Sequence, residues 1–326
     1  MNELLSEITK AKSVGITGHV RPDGDCAGST TAMYNYIADN YPDKEVYFFL
    51  EPVSTSIENC LDFPERSEAG AFEGVTLDLF ISLDSSSEDR LGDNLPVFKS
   101  AKKRVVIDHH KTNTGFGDVN IVRPEVSSAC EVLFELLETE KIGASVARSL
   151  YLGIVHDTGV FKYQSTTGRT MTIAGILLDK GVDSAAVIDG TFYERTWNQN
   201  RLLGRAIEKT KIFANGMISL VVISAEDLAE FGCTRIDTDG IVENIRLIKG
   251  VEIAVFIRED GENYYKVSLR SKTGMIDVSE ISAENGGGGH KMAAGFSVYK
   301  NADELTDYLV DTITRKLNEG LNGRND

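Results

Sequence analysis

Short runs of apolar, largely β-branched residues recur along the first half of the chain and alternate with amphipathic stretches. Period-two or continuous apolar runs predict strands, here at 13–17, 45–50, 77–83, 104–107 and 119–122. Helical periodicity and small-residue starts predict helices at 2–11, 26–40, 144–155 and 169–180, and one that opens at 127–131. This alternation is typical of a mainly parallel sheet flanked by helices. The run at 45–50 is so apolar that we expect an interior strand there.

The second half has a different pattern. It predicts strands at 217–223, 251–258 and 263–269, with Asp260-Gly261 as the hairpin signal between the last two, and helices at 277–283 and 302–319. Residues 183–215 have a mostly helical pattern and are expected to link the two parts. The predicted fold class is therefore α/β with two domains, of which the smaller C-terminal one has a mixed sheet. We expect domains at 1–190 and 204–326, joined by a helical linker at 191–203.

Polar residues follow the predicted strand at 104–107 at once: Asp108, His109 and His110. In open α/β sheets, ligands bind in the crevice beyond the carboxyl ends of the strands. An acid and two imidazoles at that place can bind a metal, hold a phosphate or transfer a proton. A single histidine at a strand end would more simply be a hydrogen-bonded structural residue.

The same pattern recurs in the first half, which weakens that simpler interpretation. His19, Asp23 and Asp25 lie on the loop after the first strand, Asp84 directly follows the strand at 77–83, and Asp157 ends an apolar helix. Each has its own structural alternative, since Asp23 could belong to a surface turn and Asp84 could cap a helix.

These residues form a set of four carboxylates and two imidazoles: His19, Asp23, Asp25, Asp84, His109 and Asp157. The set is too large for one tetrahedral zinc and suits two harder divalent ions such as Mn²⁺ or Mg²⁺. One carboxylate should bridge both ions, and without metal the acids would repel one another. Pairs of such ions catalyse in-line displacement at phosphorus.

The charge balance restricts the partners. The formal net charge is −16, so the composition lacks the basic footprint of proteins that grip long duplex nucleic acid. It points to a small anionic substrate, although acidity also simply favours solubility. Four cysteines without a Cys-x-x-Cys pair, no bilayer-length apolar run and no secretory signal predict a cytoplasmic protein away from membranes.

A glycine run at 286–289 leads directly into His290. Such runs are commonly flexible linkers, but this one is followed by small residues that allow close backbone packing. Successive glycine N–H groups can form an anion-binding nest. His290 and Arg270 would then be its charged partners.

Together, these motifs resemble the DHH phosphoesterase family with the DHH-associated C-terminal domain, specifically its nanoRNase/pAp-phosphatase type. The matching segments span nearly the whole chain in the family's order: His19…Pro22-Asp23-Gly24-Asp25…Gly28-Ser29, Asp84-Ser85-Ser86, Asp108-His109-His110, Asp157-Thr158-Gly159, Arg270-Ser271-Lys272 and Gly286–Gly289-His290-Lys291…Ala293-Ala294-Gly295. Two departures, Cys26 and His156, remove no ligand.

The resemblance implies a division of labour among these residues. One ion would take His19, Asp23 and Asp84, and the other would take Asp25, Asp84, His109 and Asp157. Asp84 would therefore be the bridge between the ions.

The remaining motif residues have implied roles as well. His110 would contact the scissile phosphate, while Asp108 would orient the histidines. Arg270, Gly288, Gly289 and His290 would hold the far end of the substrate, a terminal phosphate or a base. The active site would lie in the cleft between the two domains.

The implied enzyme is a metal-dependent hydrolase, a phosphodiesterase/exoribonuclease and 3′(2′),5′-bisphosphate nucleotidase. It would cut very short single-stranded RNA and dinucleotides to mononucleotides and 3′-phosphoadenosine 5′-phosphate (pAp) to AMP. Mn²⁺ is the expected cofactor, with Mg²⁺ or Co²⁺ as alternatives. The glycine motif argues against the family's inorganic pyrophosphatases, and the length argues against the larger RecJ-type exonucleases.

Other functions stay open at this point. The same metals could serve a cyclic di-AMP/pApA phosphodiesterase. A non-catalytic nucleotide-binding module would be expected to lack a ligand, yet all six are present. A dehydrogenase would need Gly-x-Gly-x-x-Gly after the first strand, and residues 13–29 lack it. Monomer and homodimer are both compatible with the sequence.

Overall fold

The computed structural model describes residues 2–322 and divides the chain into an N-terminal unit, Met1–Glu194, and a C-terminal unit, Arg195–Asp326. Both units are α/β, so the predicted fold class is confirmed. In each unit, helices cover both faces of one sheet.

The N-terminal unit is built on a five-stranded parallel sheet of order β2-β1-β3-β4-β5. Its strands are β1 (Ser13–Thr17), β2 (Glu45–Phe49), β3 (Leu79–Leu83), β4 (Lys103–Asp108) and β5 (Val119–Val122). Its helices are α1 (Glu3–Lys10), α2 (Gly24–Asn40), α3 (Thr55–Glu58), α4 (Leu95–Ser100), α5 (Ala129–Leu136), α6 (Ala144–Asp157), α7 (Gly168–Asp179) and α8 (Ser184–Ile188).

The central strands of this sheet are apolar on both faces, as in a parallel sheet covered by helices on each side. On β3, Leu79 and Ile81 belong to the larger core with α2, α5 and α6, whereas Phe80 belongs to a smaller core with Phe98 of α4. The continuous apolar runs of the sequence therefore reflect burial on two faces.

The prediction that the run at 45–50 would be an interior strand is wrong, because β2 lies at the edge of the sheet. Its apolar residues are instead buried by aromatic side chains from the following loops. Phe48 lies near the ring of Phe63, and Phe49 meets Phe72 edge-on with ring centroids 5.0 Å apart. Loop side chains thus supply the burial that a neighbouring strand would otherwise provide.

The C-terminal unit has a six-stranded mixed sheet of order β10-β11-β9-β8-β7-β6, in which only β7 and β8 run parallel. Its strands are β6 (Lys211–Phe213), β7 (Ile218–Ile223), β8 (Ile253–Gly261), β9 (Tyr264–Ser271), β10 (Gly288–His290) and β11 (Ala293–Tyr299). Its helices are α9 (Trp197–Lys209), α10 (Ala225–Glu230), α11 (Ile241–Arg246), α12 (Val278–Glu284) and α13 (Ala302–Asn322).

Strand β8 shows how this sheet is packed. Ile253, Val255 and Ile257 face the core that includes α12 and α13, and Ala254 and Phe256 face the core that includes α9, α10 and α11. This is the two-residue alternation of a strand.

The segment predicted as mostly helical at 183–215 differs in part. It contains α8 and α9 but also the short edge strand β6, and strands β10 and β11 were not predicted either. A three-residue edge strand is too short to show a period of two.

Within residues 2–322, no helix combines the length and apolar character that crossing a bilayer requires.

Candidate metal centre

The predicted ligands converge at one edge of the N-terminal sheet. Strands β1, β3 and β4 are neighbours and run parallel, so their carboxyl ends meet there. His19 follows β1, Asp84 follows β3 and His109 follows β4. Helix α2 begins at the same edge with Asp25, and α6 ends there with Asp157.

Asp84 lies at the centre of the cluster, and its side chain is only 2 % exposed. Its Oδ2 is 3.6 Å from His19 Nε2, whereas its Oδ1 is 3.6 Å from His109 Nε2. The two oxygens of one carboxylate therefore face two different imidazoles.

A second group of ligand atoms surrounds His109. Its Nε2 lies 3.3 Å from Asp157 Oδ2 and 3.8 Å from Asp25 Oδ2. The carboxylate of Asp25 is held in place by helix α5, because its two oxygens accept the backbone N–H groups of Ala129 and Cys130 at 2.6 and 3.0 Å. The helix N-terminus stabilises the negative charge of Asp25.

Asp23 completes the group on the side of His19. It is the N-cap of α2, where its Oδ1 accepts the backbone N–H groups of Asp25 and Cys26 at 3.1 Å. The same oxygen lies 3.8 Å from His19 Nε2. All six sequence-predicted ligands are thus brought together.

The pKa values of the cluster reflect the crowding of like charges. Burial, and then the charge of Asp25, raise the pKa of Asp84 well above its usual range. Burial and the neighbouring carboxylates also raise the pKa of Asp157 to about 8. Burial disfavours a charged imidazole at His19, but the interactions with Asp23, Cys26 and the backbone carbonyl of Val20 together outweigh it and raise the pKa of His19 to about 10. The carboxylates can lie this close together only if bound protons or cations reduce the repulsion between their negative charges.

The donor set fits divalent cations. Asp84 Oδ1 is buried and has no hydrogen-bond partner among the described residues. A buried polar atom without a partner is costly, and in native proteins it usually has a ligand. The four carboxylates supply the oxygen donors that Mn²⁺ and Mg²⁺ prefer, and the two imidazoles add nitrogen donors that suit a more borderline divalent ion.

Asp108 and His110 form a hydrogen-bonded pair beside the cluster. His110 Nδ1 lies 2.8 Å from Asp108 Oδ1, and Asn113 donates to Asp108 Oδ2 at 2.7 Å. The hydrogen bond with Asp108 raises the pKa of His110. With Nδ1 engaged, the other ring nitrogen of this half-exposed histidine is available to a ligand.

Several residues at the site were not predicted. Arg90 Nη2 lies 3.0 Å from His19 Nδ1, and Asn113 binds Asp108 as described above. The buried Cys26 thiol also lies within the cluster, but burial raises its pKa to about 12, so it remains protonated. No local motif connects Arg90 with His19, which is 71 residues away.

His156, which was noted only as a departure from the family pattern, has a definite place. Its ring lies against Gly24, where an added Cβ would be 2.1 Å from His156 Cγ. Phe192 covers it from another side, with ring centroids 4.5 Å apart. Burial lowers the pKa of His156 to about 4, so it packs as a neutral ring.

The residues expected to hold the far end of the substrate lie together in the C-terminal unit. Ala293 of β11 pairs with His290 of β10 on one side and with Arg270 of β9 on the other. Gly288 and Gly289 form the exposed edge strand β10, so their backbone groups are presented along a strand. The structure therefore places all four predicted residues at one end of this sheet.

Comparison with known proteins shows the family. Residues 13–154 match the model of the DHH family, N-terminal domain, and residues 215–319 match the DHHA1 domain. The chain is 30% identical over 318 residues to the bifunctional oligoribonuclease and PAP phosphatase NrnA of Bacillus subtilis, covering 96% of this chain and 97% of that protein. It is also 30% identical over 312 residues to a probable enzyme of the same name from Streptococcus mutans, covering 94% and 96%.

Two further similarities complete the comparison. The crystal structure of an exopolyphosphatase-related protein from Bacteroides fragilis superposes with a TM-score of 0.85 at 25% identity, covering 97% of this chain and 96% of that one. The cyclic-di-AMP phosphodiesterase PdeA of Listeria monocytogenes is 26% identical, and the match covers 97% of this chain but 48% of that protein. The chain belongs to the DHH family and carries the family's DHHA1 domain in its C-terminal half.

Proposed function

We propose that the protein is a divalent-metal-dependent phosphoesterase that hydrolyses very short oligoribonucleotides to mononucleotides and pAp to AMP. The observation that carries this proposal is the buried Asp84 carboxylate, whose two oxygens face His19 and His109. Full-length similarity to two proteins named as oligoribonuclease and PAP phosphatase supports the choice of substrates.

The cations would be held by the side chains that converge on Asp84. We propose His19, Asp23 and Asp84 for one ion, and Asp25, Asp84, His109 and Asp157 for the other. Mn²⁺ is the proposed metal, because mixed carboxylate and imidazole donors suit a borderline ion better than a purely oxygen-binding one.

The residues of the chain itself have distinct tasks in hydrolysis. When bound, the two cations polarise the phosphoryl oxygens and activate a water as nucleophile. The proposed role of His110 is to donate a hydrogen bond to the scissile phosphate. Asp108 holds the ring of His110 through Nδ1, so that the remaining ring nitrogen carries out this contact.

We further propose a division of the chain into a catalytic metal-binding domain, 1–190, a linker, 191–203, and a substrate-binding domain, 204–326. Arg270, Gly288, Gly289 and His290 would bind the end of the substrate remote from the cleaved bond. Their position at one end of the C-terminal sheet supports a common task. Short single-stranded RNA, dinucleotides and nucleotide bisphosphates are the proposed partners, in the cytoplasm and without long duplexes.

One assay panel with added Mn²⁺ tests the proposal. The substrates are pApA, a five-nucleotide RNA, pAp and cyclic di-AMP, each followed by chromatography. We expect turnover of the linear RNA and of pAp. Fast opening of cyclic di-AMP with slow turnover of the others would replace the proposal by second-messenger degradation, the activity named for the Listeria relative.

Variants of the centre provide the second test. Asp84→Ala or His109→Ala should reduce kcat by about 10²-fold or more while the circular dichroism spectrum is retained, because each removes a ligand from the charge-stabilising site. Glu138→Gln is the matched control, since Glu138 is an exposed carboxylate of the same unit that pairs with Lys141. Full activity of a purified Asp84→Ala protein would refute the metal assignment.

A further inference from the structure

A cavity of about 320 Å³ opens beside Arg270 within the C-terminal unit. Four charged side chains line it, two basic and two acidic: Arg258, Arg270, Asp239 and Glu243. If Arg270 binds the remote end of the substrate, as proposed above, these charges decide what that end can be.

The positive charge of Arg258 is already balanced by a neighbouring acid, Asp260. Its Nε and Nη2 donate to the two carboxylate oxygens of Asp260 at 2.6 and 3.0 Å. Its Nη1 donates to Thr238 Oγ1 and to the backbone carbonyl of Arg235. Bidentate pairing with an acid neutralises this guanidinium.

Arg270 is the cation that faces the cavity with donors to spare. Its Nη1 donates to the carbonyl oxygen of Leu269, and its Nε donates to Glu243 Oε1 at 2.9 Å. Nη2 has no partner within the described part of the chain. A phosphate that binds Arg270 must therefore either displace Glu243 from the guanidinium or share the guanidinium with it.

The second acid adds to this competition. Asp239 lies on the cavity wall in extended backbone just before helix α11, which carries Glu243. Burial, and then the charge of Glu243, raise the pKa of Asp239, as expected for two carboxylates that lie close together. Two carboxylates thus surround one available guanidinium, and the cavity is unfavourable to an added dianion.

We propose that Glu243 is a specificity-determining residue that competes with the terminal phosphate of the substrate for Arg270. The inference rests on the proposed function and deepens it. The enzyme then gains little from a terminal phosphate and discriminates only weakly between short RNA that carries this phosphate and short RNA that lacks it.

The strength of the ion pair sets the size of the effect. The side chains of Arg270 and Glu243 are 29% and 42% exposed, so the pair is partly screened by water. Removing the negative charge should therefore improve binding of a terminal phosphate by about twofold to fivefold.

The test compares pApA and pAp, which carry a terminal phosphate, with ApA, which does not. In the full-length Mn²⁺ enzyme, Glu243→Gln should lower KM for pApA and pAp by about twofold to fivefold, with kcat and the KM for ApA unchanged. Glu280→Gln is the matched control, because Glu280 pairs with Lys316 at 2.9 Å elsewhere in the same unit. In an Arg270→Gln background, Glu243→Gln should have no further effect.

Other outcomes would overturn the inference. A higher KM for the phosphorylated substrates would show that Glu243 orients Arg270 for binding, and an equal change for ApA would show a general effect. If the wild-type enzyme cleaved none of these substrates, the proposed function would be refuted, and this result would not test the role of Glu243. Titration calorimetry of pAp with Ca²⁺ in place of Mn²⁺ would then decide the competition from the two dissociation constants.

Discussion

At the scale of single residues, Asp84 has two features that lower the stability of the folded protein. It has a φ of +54°, in the left-handed region that non-glycine residues rarely adopt. It is also buried, with one oxygen lacking a hydrogen-bond partner among the described residues. Both features cost folding free energy, and the proposed role of Asp84 as a metal ligand accounts for them better than packing does.

Metal binding at this site should release protons. The pKa of Asp157 is raised to about 8 and that of His19 to about 10, so at pH 7 both are mostly protonated in the metal-free protein. Ligands bind metal in their deprotonated forms, so the affinity should rise with pH up to about 10, and loading near pH 7 should release at least two protons. Calorimetric Mn²⁺ titrations in buffers of different ionisation enthalpy measure this number.

Asp157→Asn provides the comparison for that experiment, because it removes one ligand that holds a proton at pH 7. The variant should release about one proton fewer. Loading that releases no protons in the wild-type protein would contradict the assignment of both residues.

At the scale of elements, the centre depends on how closely α2 and α6 approach. A Cβ at Gly28 of α2 would lie 2.5 Å from the carbonyl oxygen of Ser149, and one at Gly153 of α6 would lie 2.7 Å from Asp25 Oδ1. Only glycine allows the two helices this spacing. The approach brings Asp25 at the start of α2 near Asp157 at the end of α6.

The contact between Gly24 and His156 should therefore control metal affinity. Gly24→Ala should weaken Mn²⁺ binding by about 10-fold to 100-fold, because the new Cβ would collide with the imidazole and shift the flanking Asp23 and Asp25. Gly24→Ala combined with His156→Ala removes the obstacle and should recover most of the affinity. Calorimetric Mn²⁺ titration without substrate gives both values.

A glycine elsewhere in the same unit is the control for this pair. Gly168 has no atom within 4 Å of an added Cβ, so Gly168→Ala should leave Mn²⁺ affinity unchanged. If the double variant bound Mn²⁺ no more tightly than Gly24→Ala, the contact with His156 would not be the cause of the lost affinity.

At the scale of the whole molecule, the residues proposed for metal binding and those proposed for substrate binding lie in different units. All six candidate ligands belong to the N-terminal unit, whereas Arg270 and the β10 residues belong to the C-terminal unit. Each unit has its own cores, so each can respond to its own ligand.

Metal should accordingly stabilise the N-terminal unit selectively. At a free Mn²⁺ concentration of 100 times its Kd, the unfolding free energy of this unit should rise by about 2.7 kcal/mol. Hydrogen exchange should slow in β1, β3, β4 and α6 and remain unchanged in β7, β8 and β9, and EDTA should reverse the effect. Equal protection of both sheets would contradict a centre confined to the N-terminal unit.

The fold class and the residues of the candidate centre could be predicted from the order of residues along the chain. Apolar runs indicate the strands because strands buried on both faces need apolar side chains. The ligand-type residues directly follow those runs. His19, Asp84 and His109 could be found in this way without knowing the strand order. The same local reasoning marked Asp157 at the end of α6.

Contacts between distant parts of the chain could not be predicted in this way and became visible with the three-dimensional fold. The edge position of β2, the support of Asp25 by α5, the packing of His156 on Gly24 and the pairing of Glu243 with Arg270 all belong to this group. The physical reason is that local sequence sets which face of an element is apolar, while the neighbour that meets each side chain is set by how the elements pack.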